Sequence, residues 1–109
     1  MSSDAPDPAH QVSAFSLAVP TEAAWQAVGL VVSALPRTKI VVDTGQYLHA
    51  ECRSAVLRFV DDLELHLRPG DGQIAVRSAA RLGYSDFGVN RRRVETLRQA
   101  LVSAGVVKP

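Results

Sequence analysis

The sequence predicts one α+β domain, in which an antiparallel sheet of about five strands carries two helices on one face. Five segments show the alternation or the β-branched run of a strand, and two repeat apolar residues with helical spacing. The last four strand segments are joined by turns too short for a crossover helix, and such links connect antiparallel neighbours. The predicted order is therefore β-α-β-β-β-β-α.

The first third of the chain predicts a tail, a strand and a buried helix. Residues 1–9 hold two prolines and two aspartates, so we expect a disordered tail before a single domain over residues 10–105. Residues 11–19 alternate and predict the first strand. A helix follows, with Thr21 as its N-cap and Pro36 at its end, because its polar residues trace one helical face.

Four further strands and a last helix complete the pattern. The strands are expected at residues 39–43, 47–53, 59–67 and 74–82, and the helix from about residues 88–90 to Ala104. The turn at residues 69–72 should close a hairpin in which Glu64 lies opposite Arg77 and the apolar rows face each other. This plan resembles the TATA-binding-protein fold and small helix-grip domains, an analogy that carries no function.

Composition sets several classes of protein aside. The formal net charge is +1, whereas nucleic-acid binders carry a clear basic excess, so we expect no nucleic-acid partner. Cys52 is the only cysteine, which excludes an intramolecular disulfide and a cysteine-based zinc site. No run reaches the roughly 20 apolar residues of a membrane span. The acidic N-terminus does not read as a signal peptide, and we expect a cytoplasmic protein.

The most unusual feature is an arginine-rich segment from Arg77 to Arg98. Arg91, Arg92 and Arg93 fall in the first turn predicted for the last helix, where cations oppose the dipole and cost roughly 0.3–1 kcal/mol each. Their side chains fan out by about 100° per residue, so at most two face one site. Either these arginines have acidic partners, or they hold an anion against the helix.

Both interpretations have candidate residues. In the structural one, Asp61 or Asp86 pairs with one of the three arginines and pins the last helix to the sheet. Asp61 lies on the apolar face of its strand, where an unpaired carboxylate is costly. The expected structural ion pairs involve Asp61, Asp62, Glu64 and Arg77. In the functional interpretation, an anion is bound by Arg81, Tyr84, Ser85, Asp86, Asn90, Arg91, Arg92 and Arg93.

Two other hypotheses belong to different classes. A small hydrolase or isomerase could use His49 and Glu51, with Tyr47 or Tyr84, provided that they line a concave pocket; an exposed polar strand face has the same pattern. A scaffold could self-associate through the sheet face that carries no helices. The three histidines lack the spacing of metal ligands, so we expect neither a metal nor a cofactor.

Three sequence blocks carry a family resemblance. They are residues 47–51 (Tyr-Leu-His-Ala-Glu), residues 59–64 (Phe-Val-Asp-Asp-Leu-Glu) and residues 77–93, which contain Arg-Leu-Gly-Tyr-Ser-Asp-Phe-Gly-Val-Asn-Arg-Arg-Arg. Together they resemble the bacterial and plastid family catalogued as domain of unknown function 1499, from about Phe15 to Leu101. The resemblance implies no activity, and it places most of the candidate residues in the family's signature blocks.

These observations favour a non-enzymatic binding module. We expect it to recognise an anionic small molecule or an acidic protein surface through the Gly83–Arg93 segment. We expect a monomer or a weak homodimer.

Overall fold

A computed structural model describes residues 1–55, 59–81 and 87–109, without the side chain of Phe87. All neighbouring strands are antiparallel, in the sheet order β1-β5-β4-β3-β2. The α+β class and the order β-α-β-β-β-β-α are therefore confirmed. The elements are β1 (Phe15–Ser16), α1 (Thr21–Ala34), β2 (Thr38–Asp43), β3 (Tyr47–Arg53), β4 (Val60–Arg68), β5 (Gln73–Ala80) and α2 (Phe87–Ser103).

β4 and β5 pair in the predicted register, and β3 pairs on the other side of β4. Leu65 of β4 lies between Leu48 of β3 and Val76 of β5, and all three are buried. Next to this row, Glu64 lies directly opposite Arg77. Because successive side chains point to opposite faces of a sheet, this register sends the apolar row toward the helices and the charged row away from them.

Both helices cover the apolar face of the sheet. Val28 and Val32 of α1 are fully buried, and so are Val94, Leu97 and Leu101 of α2, which recur at the spacing of one helical face. These side chains and the inner row of the sheet form one hydrophobic core. No helix in the described ranges has the length and apolar content to cross a membrane.

Both helices begin earlier than predicted. Thr21 is the first residue of α1 and not its N-cap; Pro20 takes that place, and its fixed φ suits a helix start. α2 begins at Phe87, so Arg91 to Arg93 lie in its second turn. Because the dipole effect fades beyond the first turn, the penalty predicted for these arginines does not apply.

The first strand is shorter than predicted. Of residues 11–19, only Phe15 and Ser16 pair with β5. The next part of the same β5 edge is taken by residues 1–3, whose backbone groups bond to residues 76–78. The two segments share one edge, and that limits the length of β1.

Residues 1–9 lie against the domain. The guanidinium of Arg68 donates to both carboxylate oxygens of Asp4, at 2.7 and 2.6 Å. Asp7 caps a short helical turn over Pro8–His10. Backbone hydrogen bonds and an ion pair hold this segment against the domain. Neither requires apolar residues, which are the usual sign of ordered structure in a sequence.

Candidate functional site

The arginines of the arginine-rich segment lie in different parts of the structure. Arg77 and Arg81 lie on the sheet face opposite the helices, which we call the open face. Arg91, Arg92 and Arg93 point in different directions from α2, because consecutive helical residues are about 100° apart. The loop candidates Tyr84, Ser85 and Asp86 lie outside the described residues.

Arg81 is held by two carboxylates on the open face. Its Nη2 donates to Asp62 Oδ1 and to Glu51 Oε2, each at 2.7 Å, and its Nε donates to Asp62 Oδ2 at 3.2 Å. The hydrogen bond from Arg81 is the main reason that the pKa of Asp62 falls to about 2. The same guanidinium also lowers the pKa of Glu51. Arg81 is therefore part of a structural network.

A second cluster on the open face is centred on Glu64. The hydroxyl of Tyr47 donates to Glu64 Oε1 at 2.7 Å, and Nη1 of Arg77 lies 2.9 Å from Oε2. Burial, together with this hydrogen bond, raises the pKa of Tyr47 to about 12. Burial alone would raise the pKa of Glu64, but hydrogen bonds from Tyr47 and Arg77 outweigh it and lower the pKa. The predicted facing charges thus form an ion pair.

The geometry of His49 and Glu51 does not favour acid–base catalysis. Nε2 of His49 lies 2.7 Å from Asp62 Oδ1, while Glu51 is bonded to Arg81. A depression of about 170 Å³ on the open face is lined by Tyr47 but by neither of these two residues. Their partners and their place on an open sheet match an exposed polar strand face.

A buried polar cluster lies between α2 and the sheet. Oδ2 of Asp61 lies 2.8 Å from Nη1 of Arg93, and the two side chains are only 14% and 18% exposed. The same Nη1 donates to Asn90 Oδ1 at 2.9 Å and to Ser78 Oγ at 3.2 Å. The Ser78 hydroxyl donates to Asn90 at 2.8 Å. The expected Asp61 ion pair is therefore present, and it fixes the Arg93 guanidinium.

Two other arginines of α2 fasten the N-terminal segment. Nη2 of Arg91 donates to the carbonyls of Ala9 and Gln11, at 3.3 Å each. Arg98 donates to backbone carbonyls at residues 13–14, and its guanidinium lies 4.8 Å from the ring centre of Phe15. Both arginines therefore act in the fold.

The remaining arginine of the triplet, Arg92, lines a cleft with residues that sequence analysis missed. The cleft has a volume of about 310 Å³ and lies between the end of α1, the β2–β3 hairpin and α2. We call it the arginine cleft, after Arg37, Arg53, Arg92 and Arg93. The rest of its lining is Leu35, Pro36, Thr38, Cys52, Val89 and Thr96.

Hairpin register brings two of these arginines together. Thr38 pairs with Cys52, so the preceding Arg37 lies beside Arg53, whose N–H donates to the Arg37 carbonyl at 2.9 Å. The turn signal at residues 44–46 predicts the hairpin, but a bulge between Ile40 and Val42 shifts its register by one residue before Arg37 and Arg53 are reached. The two arginines were missed because they are far from the triplet in sequence.

Arg37 has an unusual backbone conformation. Its φ is +52°, and it is the only described residue other than glycine with positive φ. α1 ends just before Pro36, and the chain must then reverse to enter β2. Glycine or asparagine is the usual residue for such a conformation, which costs other residues of order 1 kcal/mol. The Nε of Arg37 donates to the Arg53 carbonyl at 3.1 Å.

The arginine cleft carries unbalanced positive charge. Arg37 and Arg92 form no ion pair with any described residue. Arg53 lies 3.3 Å from Glu51, which Arg81 also binds. Arg93 uses Nη1 alone, so within the described ranges its other N–H groups have no partner. A neighbouring depression of about 380 Å³ shares two of these arginines and adds Lys39.

The described residues form no recognisable metal-binding site. No group of three or more His, Cys, Asp or Glu side chains is placed there to hold an ion.

Comparison with known proteins supplies a family but no activity. No curated protein matches the chain, and no solved structure matches it. Residues 1–101 match the family described as "Protein of unknown function (DUF1499)". Since the match spans most of the 109 residues, the chain belongs to the DUF1499 family.

Proposed function

We propose that the protein is a binding module for an anionic ligand and that the ligand occupies the arginine cleft. One observation carries the proposal: Arg37 and Arg92 line one cleft without a carboxylate partner among the described residues. Guanidinium groups bind carboxylate and phosphate oxygens through paired N–H donors. An anion between them would offset their mutual repulsion.

The charge distribution of the molecule supports the same site. The formal net charge is only +1, yet four arginine residues line a single cleft. Two of them, Arg53 and Arg93, contact carboxylates, and the Arg93 guanidinium is already oriented by Asp61. A donor that is fixed before binding loses little conformational entropy when a ligand arrives.

The proposal moves the site away from the helix start that the sequence suggested. Arg81 and Arg91 leave it, because both are engaged elsewhere, whereas Arg37 and Arg53 enter it. A volume of about 310 Å³ lies at the lower end of the roughly 300–1,000 Å³ typical of small-molecule sites, which favours a small anion over a protein surface.

Isothermal titration calorimetry with inorganic phosphate, pyrophosphate and citrate tests the proposal. We expect binding of at least one of them, weakened about tenfold or more by Arg92→Gln and by Arg37→Gln. Each substitution removes an unpaired guanidinium from the cleft.

Arg77→Gln is the matched control, since it removes the same group from the open face. Binding that falls equally in the control would mean that the anions respond only to net charge. That result, or the absence of any binding, would reject the proposal.

A further inference from the structure

We infer that the arginine cleft is built for a phosphate monoester with an apolar body, a ligand that carries two negative charges at neutral pH. This inference rests on the proposed function and deepens it by naming the class of anion. It depends on three features of the cleft: its charge, its apolar lining and the ionisable groups around it.

The charge of the cleft calls for a dianion. Arg37 and Arg92 each contribute a full positive charge that no described carboxylate offsets. Glu51 is shared between Arg53 and Arg81, so it offsets Arg53 only in part. A monocarboxylate or a sulfate ester brings one negative charge, which leaves an excess. A phosphate monoester brings close to two above its second pKa of about 6.

The rest of the lining suits an apolar group attached to that phosphate. Leu35, Pro36 and Val89 present aliphatic surface, and Thr38 and Thr96 add hydroxyl groups. Free phosphate would leave this surface without contact. Ligand sites commonly combine mostly apolar walls with a few polar groups that fix orientation.

The side chains that line the cleft include no histidine. Besides the four arginines, the buried Cys52 lines the cleft, and the carboxylates of Glu51 and Asp61 contact Arg53 and Arg93. The guanidinium of Arg81 lowers the pKa of Glu51. All three histidines are described, and none lines the cleft. A change in affinity between pH 5 and 7.5 would therefore report the charge of the ligand.

The test compares phenyl phosphate, phenyl sulfate and inorganic phosphate by calorimetry with the full chain at constant ionic strength. At pH 7.5 we expect phenyl phosphate to bind at least tenfold more tightly than phenyl sulfate, which has the same ring but a single charge. We expect inorganic phosphate to bind at least threefold more weakly than phenyl phosphate, because it lacks the ring.

At pH 5.0 phenyl phosphate also carries a single charge, so its advantage over phenyl sulfate should shrink to threefold or less. Arg37→Gln and Arg92→Gln should each reduce the advantage at pH 7.5, and Arg77→Gln should preserve it.

Three results would overturn the inference. Equal affinities for phenyl phosphate and phenyl sulfate at pH 7.5, with both lost in Arg92→Gln, would leave the anion-binding proposal standing and reject the dianion. Inorganic phosphate binding as tightly as phenyl phosphate would reject the apolar body. Failure of all three compounds to bind would reject the inference, and if pyrophosphate and citrate also failed to bind, the proposed function would be rejected with it.

Discussion

Two groups of arginines in this molecule differ in one respect, the presence of a carboxylate. On the open face, Arg77 lies 2.9 Å from Glu64 and Arg81 lies 2.7 Å from Asp62, although both side chains are well exposed. In the arginine cleft, Arg37 and Arg92 have no such partner among the described residues. Exposure does not separate the two groups. The positions of the carboxylates separate the two groups, and they identify the arginines that are available to a ligand.

Arg93 belongs to neither group and connects them. It lines the cleft, but its charge is paired with Asp61 in the buried cluster beneath α2. It can therefore offer directed N–H donors while adding little net charge. Removal of the Asp61 carboxylate tests this difference most directly, because it turns Arg93 from a paired arginine into an unpaired one.

The largest effect is expected from Asp61→Asn. The substitution leaves the Arg93 guanidinium largely buried without a counter-charge, and breaking a buried pair costs about 3 kcal/mol of unfolding free energy. Urea denaturation should show a lower midpoint with an unchanged slope. Asp71→Asn, in the exposed turn after β4, is the control and should change the midpoint little. Equal shifts in the two variants would show that the Asp61 pair does not anchor α2.

Arg98→Ala should have the next largest effect. The Arg98 side chain is only 15% exposed and binds two backbone carbonyls. Losing these charged hydrogen bonds and the contact with Phe15 should lower the unfolding free energy by about 2 kcal/mol. Hydrogen exchange should also become faster at residues 12–18, which include β1.

Arg92→Ala is the natural control for Arg98→Ala, because both residues are arginines of α2. It should change the unfolding free energy by less than about 0.5 kcal/mol, as expected for a surface substitution. A loss of stability as large as that in Arg98→Ala would show that Arg92 has a structural partner, and it would remove the main support for the cleft.

Much of the fold follows from local patterns. Alternation and a single strong turn predict the strands from β2 to β5 and the pairing of Glu64 with Arg77, because hairpin register is a short-range property. The length of β1 does not follow, since it depends on residues 1–3 occupying the same β5 edge. That competition joins parts of the chain more than 70 residues apart.

The candidate site was predictable only in part. Asp61 stood out because a carboxylate on an apolar strand face needs a partner, and Arg93 is that partner. The buried position of Arg98 could not be recognised, because its partners other than the nearby Glu95 are backbone carbonyls, which every residue has. Arg37 and Arg53 come from elements that meet α2 only in the folded chain. The arginines that are available to a ligand can therefore be identified only after the structure shows which arginines are paired with carboxylates.

Apart from the control variants, the smallest effect we predict concerns the paired arginine of the open face. Asp62→Asn removes the carboxylate that holds Arg81 and His49, although Glu51 still binds Arg81. Because the Arg81 side chain is 43% exposed, solvent screens the interaction, and we expect a loss of about 1 kcal/mol at pH 7.

The pH dependence of that loss separates charge from packing. The pKa of Asp62 is lowered from 3.8 to about 2 in the folded state, so its stabilisation is complete above pH 4 and disappears as the pH falls toward 2. The difference in unfolding free energy between wild type and Asp62→Asn, measured with urea, should be constant from pH 7 to 5 and shrink between pH 4 and 2. A difference that persists at pH 2 would mean that Asp62 acts through packing. The open face would then lack the charge pairing that distinguishes it from the arginine cleft.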